Sequence, residues 1–163
     1  MFERCFSLKD RKPRICFAAS SGGHLAELVM LRPLMDRYDS FLVTEQTGYR
    51  SVPEELQCYR LLQVNRQEWS CVPRLIVNAF LALNICFRER PDAVICTGVL
   101  ATVPLCLLCK LFGKKLIFIE SYAKVKTPTL TGKLLYPFAD RFYVQWEELL
   151  AFYPKAMYIG GVY

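Results

Sequence analysis

The stretch ICFAASSGGHLAELVML, Ile15 to Leu31, decides the fold. Five mostly apolar residues run into Ser20-Ser21-Gly22-Gly23-His24, and helix-forming residues follow at once. A buried strand that passes through a glycine turn straight into a helix is the opening of a βα unit. Working outward, the pattern recurs. The helix is expected over 22–38, with strands over 40–45 and 58–64 and a loop over 46–55 between them. A helix over 72–90 leads to a strand at 93–97, a helix over 100–112 and a strand over 114–121. Then come a helix over 133–139, a strand over 141–145, a helix over 146–153 and a last strand over 156–160. Uninterrupted apolar strands alternating with helices predict a parallel sheet with helices on both faces, and the βα spacing predicts a doubly wound, Rossmann-like α/β fold. No repeat or linker divides the chain, so a polar arm over 1–13 is expected to precede one domain over 14–163.

At 163 residues, 53% of them hydrophobic, the chain is long enough to build a real core. Its 21 Lys and Arg outnumber 15 Asp and Glu, and the excess is local. From Cys106 to Ala139 there are six lysines and one acid, Glu120. That cluster suits a phosphate-bearing ligand or an anionic membrane surface. Nucleic acid ranks last, because no recognition motif accompanies the lysines. The eight cysteines sit largely in apolar runs, where free cysteine acts as a small hydrophobe. Cys106 and Cys109 have zinc or redox spacing but no second pair and no nearby histidine, so no metal site is expected. The first 14 residues are charged and lack an apolar core, so no signal peptide is expected and a reducing, cytoplasmic setting follows.

Two apolar segments test for a membrane span. The 13 residues 75–87 are too short to cross a bilayer, and their flanking Arg74, Arg88 and Arg90 fit either a surface-lying helix or a core-facing one. The uncharged run 93–109 is interrupted by Thr97-Gly98 and Pro104 and reads as a buried strand plus helix.

Ligands of open parallel sheets bind at the carboxyl ends of the strands. Three loops lie there. Ser20, Ser21, Gly22 and Gly23 form a turn that is either an anion cradle at a helix start or merely a tight corner, and His24 either handles a hydroxyl proton or is a bystander. The turn is neither G-x-G-x-x-G nor a P-loop, so no nucleotide cofactor is expected. Thr97 and Gly98 offer a second turn. The third loop, 119–133, carries Ser121, Lys124, Lys126, Thr129, Thr131 and Lys133, and a loop of that length is usually functional. Glu120 at its start is either a general base or an ion-pair partner of Lys124.

Taken together, SSGGHLAEL, the Thr97-Gly98 pair with a proline six residues after the glycine, and IESYAKVKTPTLTGKLLYPFADRFYVQWEELLAFYPKAMYIG resemble one family. It is the non-catalytic subunit of the two-subunit UDP-N-acetylglucosamine transferase of asparagine-linked glycosylation, with its bacterial polysaccharide-biosynthesis relatives of the PssD type. The resemblance implies the N-terminal half of a GT-B glycosyltransferase, made as a separate chain. It implies a donor-binding catalytic subunit as partner and a polyprenyl-diphosphate-linked sugar as acceptor. The SSGGH turn and residues 121–133 would line the acceptor side of the cleft, with His24 or Glu120 as the base. The apolar tail, Tyr158, Ile159, Val162 and Tyr163, would dock the partner. Eukaryotic members carry an N-terminal membrane anchor, whereas residues 1–14 here are polar, so peripheral attachment at the cytoplasmic face is expected. Val99-Leu100 is bulkier than the small pair the family usually has after this glycine. The setting expected is capsule or exopolysaccharide synthesis. The alternatives are a self-sufficient UDP-sugar transferase and a pure membrane adaptor.

Overall fold

The computed structural model describes residues 11–46 and 56–162. The expected arm over 1–13 lies mostly outside these residues, as do most of the 46–55 loop and Tyr163. Seven strands form one sheet: β1 (Arg14–Ala19), β2 (Asp39–Glu45), β3 (Cys58–Leu61), β4 (Ala93–Cys96), β5 (Lys115–Ile119), β6 (Arg141–Val144) and β7 (Met157–Tyr158). Their order is β3-β2-β1-β4-β5-β6-β7, and every neighbouring pair is parallel. Phe17 sits in register between Leu42 and Ile95 at the centre. The continuous apolar runs are explained by burial on both faces, which parallel sheets require.

Successive side chains of each strand divide between two cores. Cys16, Ala18, Phe41, Val94, Cys96 and Phe118 face one helical layer. That layer holds α3 (Cys71–Glu89), α4 (Val103–Leu111) and α5 (Leu130–Leu135), which pack side by side in that order. Ile15, Phe17, Ala19, Leu42 and Ile95 face the other layer. There the helices are short, α1 (Gly23–Val29) and α2 (Arg32–Arg37). The second core is therefore smaller, and its cover ends before β5 and β6.

Four expected helices differ in the structure. The one over 22–38 breaks at Met30-Leu31, because Pro33 has no N–H for an uninterrupted helix and instead starts α2. The one over 133–139 begins earlier, at Leu130, where the Thr129 hydroxyl accepts the Gly132 N–H at 2.9 Å, and it stops before Pro137. The segment from 100 opens with a 3-10 turn, Leu100–Thr102, before α4, and 146–153 shrinks to a five-residue 3-10 turn, Glu147–Ala151.

The helix expected over 72–90 is α3, found within one residue of those bounds and 19 residues long, roughly 28 Å at 1.5 Å per residue. By length and composition it is long and apolar enough to cross a membrane. In the fold it lies along the sheet, held by polar groups. Asn78, fully buried, accepts the Leu62 N–H at 2.8 Å and donates to the Leu62 carbonyl at 2.9 Å. Glu89 accepts from Arg14 and from the Tyr59 hydroxyl, and Arg14 also pairs with Asp39. These partners draw the Glu89 carboxyl below its ordinary range against the opposing effect of burial. The helix thus turns polar anchors inward, while Val72, Ile76, Phe80 and Phe87 remain exposed.

Candidate functional site

The strand order reverses between β1 and β4, so the loops leaving these two strands diverge and open a crevice at the carboxyl edge of the sheet. The first loop is Ser20 to Gly22, with Gly22 at φ 82°; the second is Thr97 to Val99. They are latched together, since the Thr97 hydroxyl donates to the His24 carbonyl at 2.9 Å. Gly98 lies flat against the imidazole: a Cβ built there would stand 3.3 Å from His24 Cε1, at a backbone φ of 118° that favours glycine. Val99 follows at φ 100°, a conformation that costs a β-branched residue about 1–3 kcal/mol. Its carbonyl accepts from the Thr102 hydroxyl at 2.9 Å, which helps hold the turn.

Beside this turn lies a cleft of about 590 Å³. His24, Val99 and Leu100 form one wall, and Lys124, Thr129 and Thr131 of the third loop form another. The remaining wall comes from the segment after β3 and the start of α3, including Gln63, Asn65, Arg66 and Arg74. Arg74 donates to the Gln63 carbonyl at 2.9 Å and lies 3.8 Å from Glu68. Of the cleft's charged side chains, Arg66, Arg74 and Lys124 oppose a single acid, Glu68. The structure thus brings together four residues singled out in the sequence, and it adds a basic wall with no motif of its own.

Others fall elsewhere. Ser20, Ser21, Gly22 and Gly23 shape the turn without lining the cleft, and the Ser20 hydroxyl is spent on the Ser21 carbonyl at 3.1 Å. Lys126 and Lys133 are exposed outside the lining. Ser121 is buried.

Glu120 is not at the cleft surface, nor paired with Lys124. It is fully buried, and its carboxylate accepts four hydrogen bonds. These come from Ser121 N at 3.0 Å, the Thr129 hydroxyl at 2.7 Å, Thr129 N at 3.2 Å and the Tyr153 hydroxyl at 2.8 Å. Gly132 packs so closely that a Cβ there would lie 2.1 Å from Glu120 Oε2. Burial, with Glu120 adjacent, pushes the Tyr153 hydroxyl well above its ordinary pKa. With every oxygen occupied, Glu120 ties the third loop into place and has no lone pair facing a substrate hydroxyl. The residue that sequence reasoning missed is Glu27, one turn past His24 on α1. It is 3% exposed, with Oε1 accepting Tyr122 N at 2.9 Å and the Ser121 hydroxyl at 3.3 Å. Burial raises its carboxyl pKa, opposed by the Tyr122 N–H and by His24. The only signal available in the sequence was the three-residue spacing from His24.

On the opposite face of the sheet, where helical cover ends, an apolar groove of about 410 Å³ runs between Met30, Leu34, Ile117 and Tyr143 and the tail residues Ile159 and Val162. Gln145 moors the tail: its Oε1 accepts Val162 N at 2.8 Å while its Nε2 donates to the Glu120 carbonyl at 2.9 Å. Tyr158 is exposed in β7.

Over residues 15–162 the sequence matches the family described as oligosaccharide biosynthesis protein Alg14 like. The chain belongs to this family. Alg14-like relatives include a UDP-N-acetylglucosamine transferase subunit of Schizosaccharomyces pombe, 47% identical over 106 residues that cover 60% of this chain and 50% of that protein. The subunit of Mus musculus is 36% identical over 179 residues, covering 91% of this chain and 82% of its own. The chain spans about half the length of several curated Alg14 relatives it matches. Among solved structures, MurG of Acinetobacter baumannii superposes with a TM-score of 0.69 at 16% identity, over 83% of this chain and 42% of MurG. A UDP-GlcNAc 2-epimerase of Neisseria meningitidis gives 0.68 at 10% identity, over 91% and 47%. At such identities the likeness is one of fold: this Alg14-like chain has the Rossmann-like architecture of one half of those proteins.

Proposed function

We propose that this chain is the acceptor-side subunit of a two-subunit UDP-N-acetylglucosamine transferase, inactive alone and completed by a donor-binding catalytic subunit. The observation that carries the reading is the cleft at the strand-order reversal, with a lone histidine on one wall and three cations on the others. Arg66, Arg74 and Lys124 would attract the diphosphate of a lipid-linked acceptor. His24 lines the cleft with its Nδ1 buried on the Glu27 side, and its Nε2 would take the proton of the acceptor hydroxyl. As that oxygen bonds to the anomeric carbon of the nucleotide sugar, the bond from this carbon to the diphosphate breaks and UDP leaves with the electron pair. The family's description supports an oligosaccharide as the product rather than the capsule or exopolysaccharide expected from the sequence.

A polyprenyl chain needs an apolar path, and one begins at the cleft rim. Leu130 borders the cleft, the turn before α3 exposes Trp69, and α3, α4 and α5 expose Ile76, Phe80, Leu111 and Leu134. Trp69 is 93% exposed and Leu111 78%. With its polar anchors inward, α3 suits a helix lying in the cytoplasmic face of a bilayer, where apolar side chains reach the acyl boundary. The groove beside Ile159 and Val162 would receive apolar side chains of the catalytic partner.

The test is reconstitution. Calorimetry of this chain alone with UDP-N-acetylglucosamine gives no saturable heat at millimolar ligand, and transfer to a polyprenyl-diphosphate acceptor appears only with the partner present. Saturable 1:1 binding of the nucleotide sugar by the chain alone would replace this reading with a self-sufficient transferase. Unchanged transfer by a folded His24→Ala complex would leave a scaffold.

A further inference from the structure

Behind the cleft wall, two buried polar atoms have no hydrogen-bond partner among the described residues: His24 Nδ1 and Glu27 Oε2. They stand 3.9 Å apart. An unpaired carboxylate oxygen in a buried position is costly, and such groups are rare unless they serve a purpose. The arrangement around them is specific. Oε1 of Glu27 is held by Tyr122 N and the Ser121 hydroxyl, which fixes the plane of the carboxylate and leaves Oε2 directed toward the imidazole. Gly98 lies against the ring, where a side chain would press on it. The peptide unit of His24 is itself held by the Thr97 hydroxyl.

We propose that Glu27 is a positioning residue: its Oε2 accepts Nδ1–H of His24 and so selects the tautomer whose Nε2 lone pair faces the cleft. The inference rests on the reading of His24 as the proton acceptor. Its physical basis is that two lone pairs cannot face each other in a buried site, so one of the facing atoms carries the proton. The Tyr122 and Ser121 donors stabilise Glu27 as the anion, which leaves the proton on the ring. Closing 3.9 Å to hydrogen-bond distance takes about 1 Å of ring movement, and contacts of this kind commonly tighten only when substrate is bound. During transfer the acceptor proton moves to Nε2. The ring then carries one positive charge, which the Glu27 carboxylate faces from the other side.

His24 is the only histidine of the chain, so ring 15N spectra contain one spin system. The chain labelled with 15N-histidine is assembled with its unlabelled catalytic subunit. In the neutral ring the wild-type complex shows the proton on Nδ1 and a lone pair on Nε2. Glu27→Gln keeps an oxygen for the Tyr122 and Ser121 donors but turns an NH2 group toward Nδ1. The expected result is the opposite tautomer, with kcat for transfer lowered about 10²–10⁴-fold and KM nearly unchanged. A wild-type ring protonated on Nε2 would overturn the proposal without any variant, so a poorly folding substitution does not shelter it. The same tautomer in both proteins would also overturn it. If His24→Ala abolishes transfer while Glu27→Gln alters neither tautomer nor kcat, the positioning role fails and the base reading stands. If the tautomer switches but His24→Ala transfers normally, the dyad is real and the base reading fails.

Discussion

Among the buried glutamates near the carboxyl edge of the sheet, Glu120 and Glu27 are used in opposite ways. Glu120 follows β5 directly and accepts four hydrogen bonds, from the loop it begins and from Tyr153. Glu27, on α1, satisfies one oxygen and leaves the other beside a histidine that borders open space. A carboxylate with every lone pair occupied stabilises the structure around it. One held rigid at a single oxygen keeps the other available for chemistry. Burial alone does not separate the two; the count of partners does.

The comparison breaks most easily at Gly132. Gly132→Ala drives a Cβ into Glu120 Oε2 and the Tyr153 hydroxyl, and it is expected to cost about 3 kcal/mol or more in urea unfolding. A wild-type denaturation midpoint would show that Glu120 is loosely held. Glu120→Gln is next. It sets an amide donor against donors already aimed at the site, for a loss of about 2–3 kcal/mol, while transfer per folded complex stays within a few-fold of wild type. A 100-fold drop in kcat with unchanged stability would return Glu120 to the chemistry.

Glu27→Gln sharpens the contrast by reversing the sign. The native carboxyl has a raised pKa, so folding binds protons between the unfolded value and the folded one, and stability falls as pH rises through that window. The glutamine variant lacks this penalty. It should melt at or slightly above wild type at pH 7, and the two should converge below about pH 4. A large destabilisation at pH 7 would class Glu27 with Glu120. The smallest effect is expected at Val99→Gly, where relief of the positive φ gains about 1 kcal/mol against the added freedom of the unfolded chain. Thermal melts of that variant check it.

Legibility in the sequence followed the same division. Strands declared themselves because a segment buried on both faces must be continuously apolar, as in Cys16 to Ala19 or Leu116 to Ile119. Helix limits were less legible: Pro33 reads as a possible first-turn residue or as a break, and Thr129 resembles any loop threonine until its hydroxyl meets Gly132 N. His24 stood out because it is single and follows a glycine turn. Glu27 did not, since a glutamate on a helix ordinarily faces water, and only the return of residues 121 and 122 from far along the chain buries it. The basic wall was hidden for a related reason. Arg66 and Arg74 reach the cleft through the placement of β3 at the sheet edge, which no local pattern records.

The strand order also sets a timetable for folding. The central pairing joins Ile15 to Ala93, so the middle of the sheet closes only after about eighty further residues have followed Ile15. By then α3 is complete, its apolar outer surface already formed and its anchors, Asn78 and Glu89, still waiting for β3 and Arg14 to be set in place. During that interval the emerging chain is at its most adhesive. A nearby bilayer would shelter it, and a cell-free translation without lipid is where aggregation should be greatest.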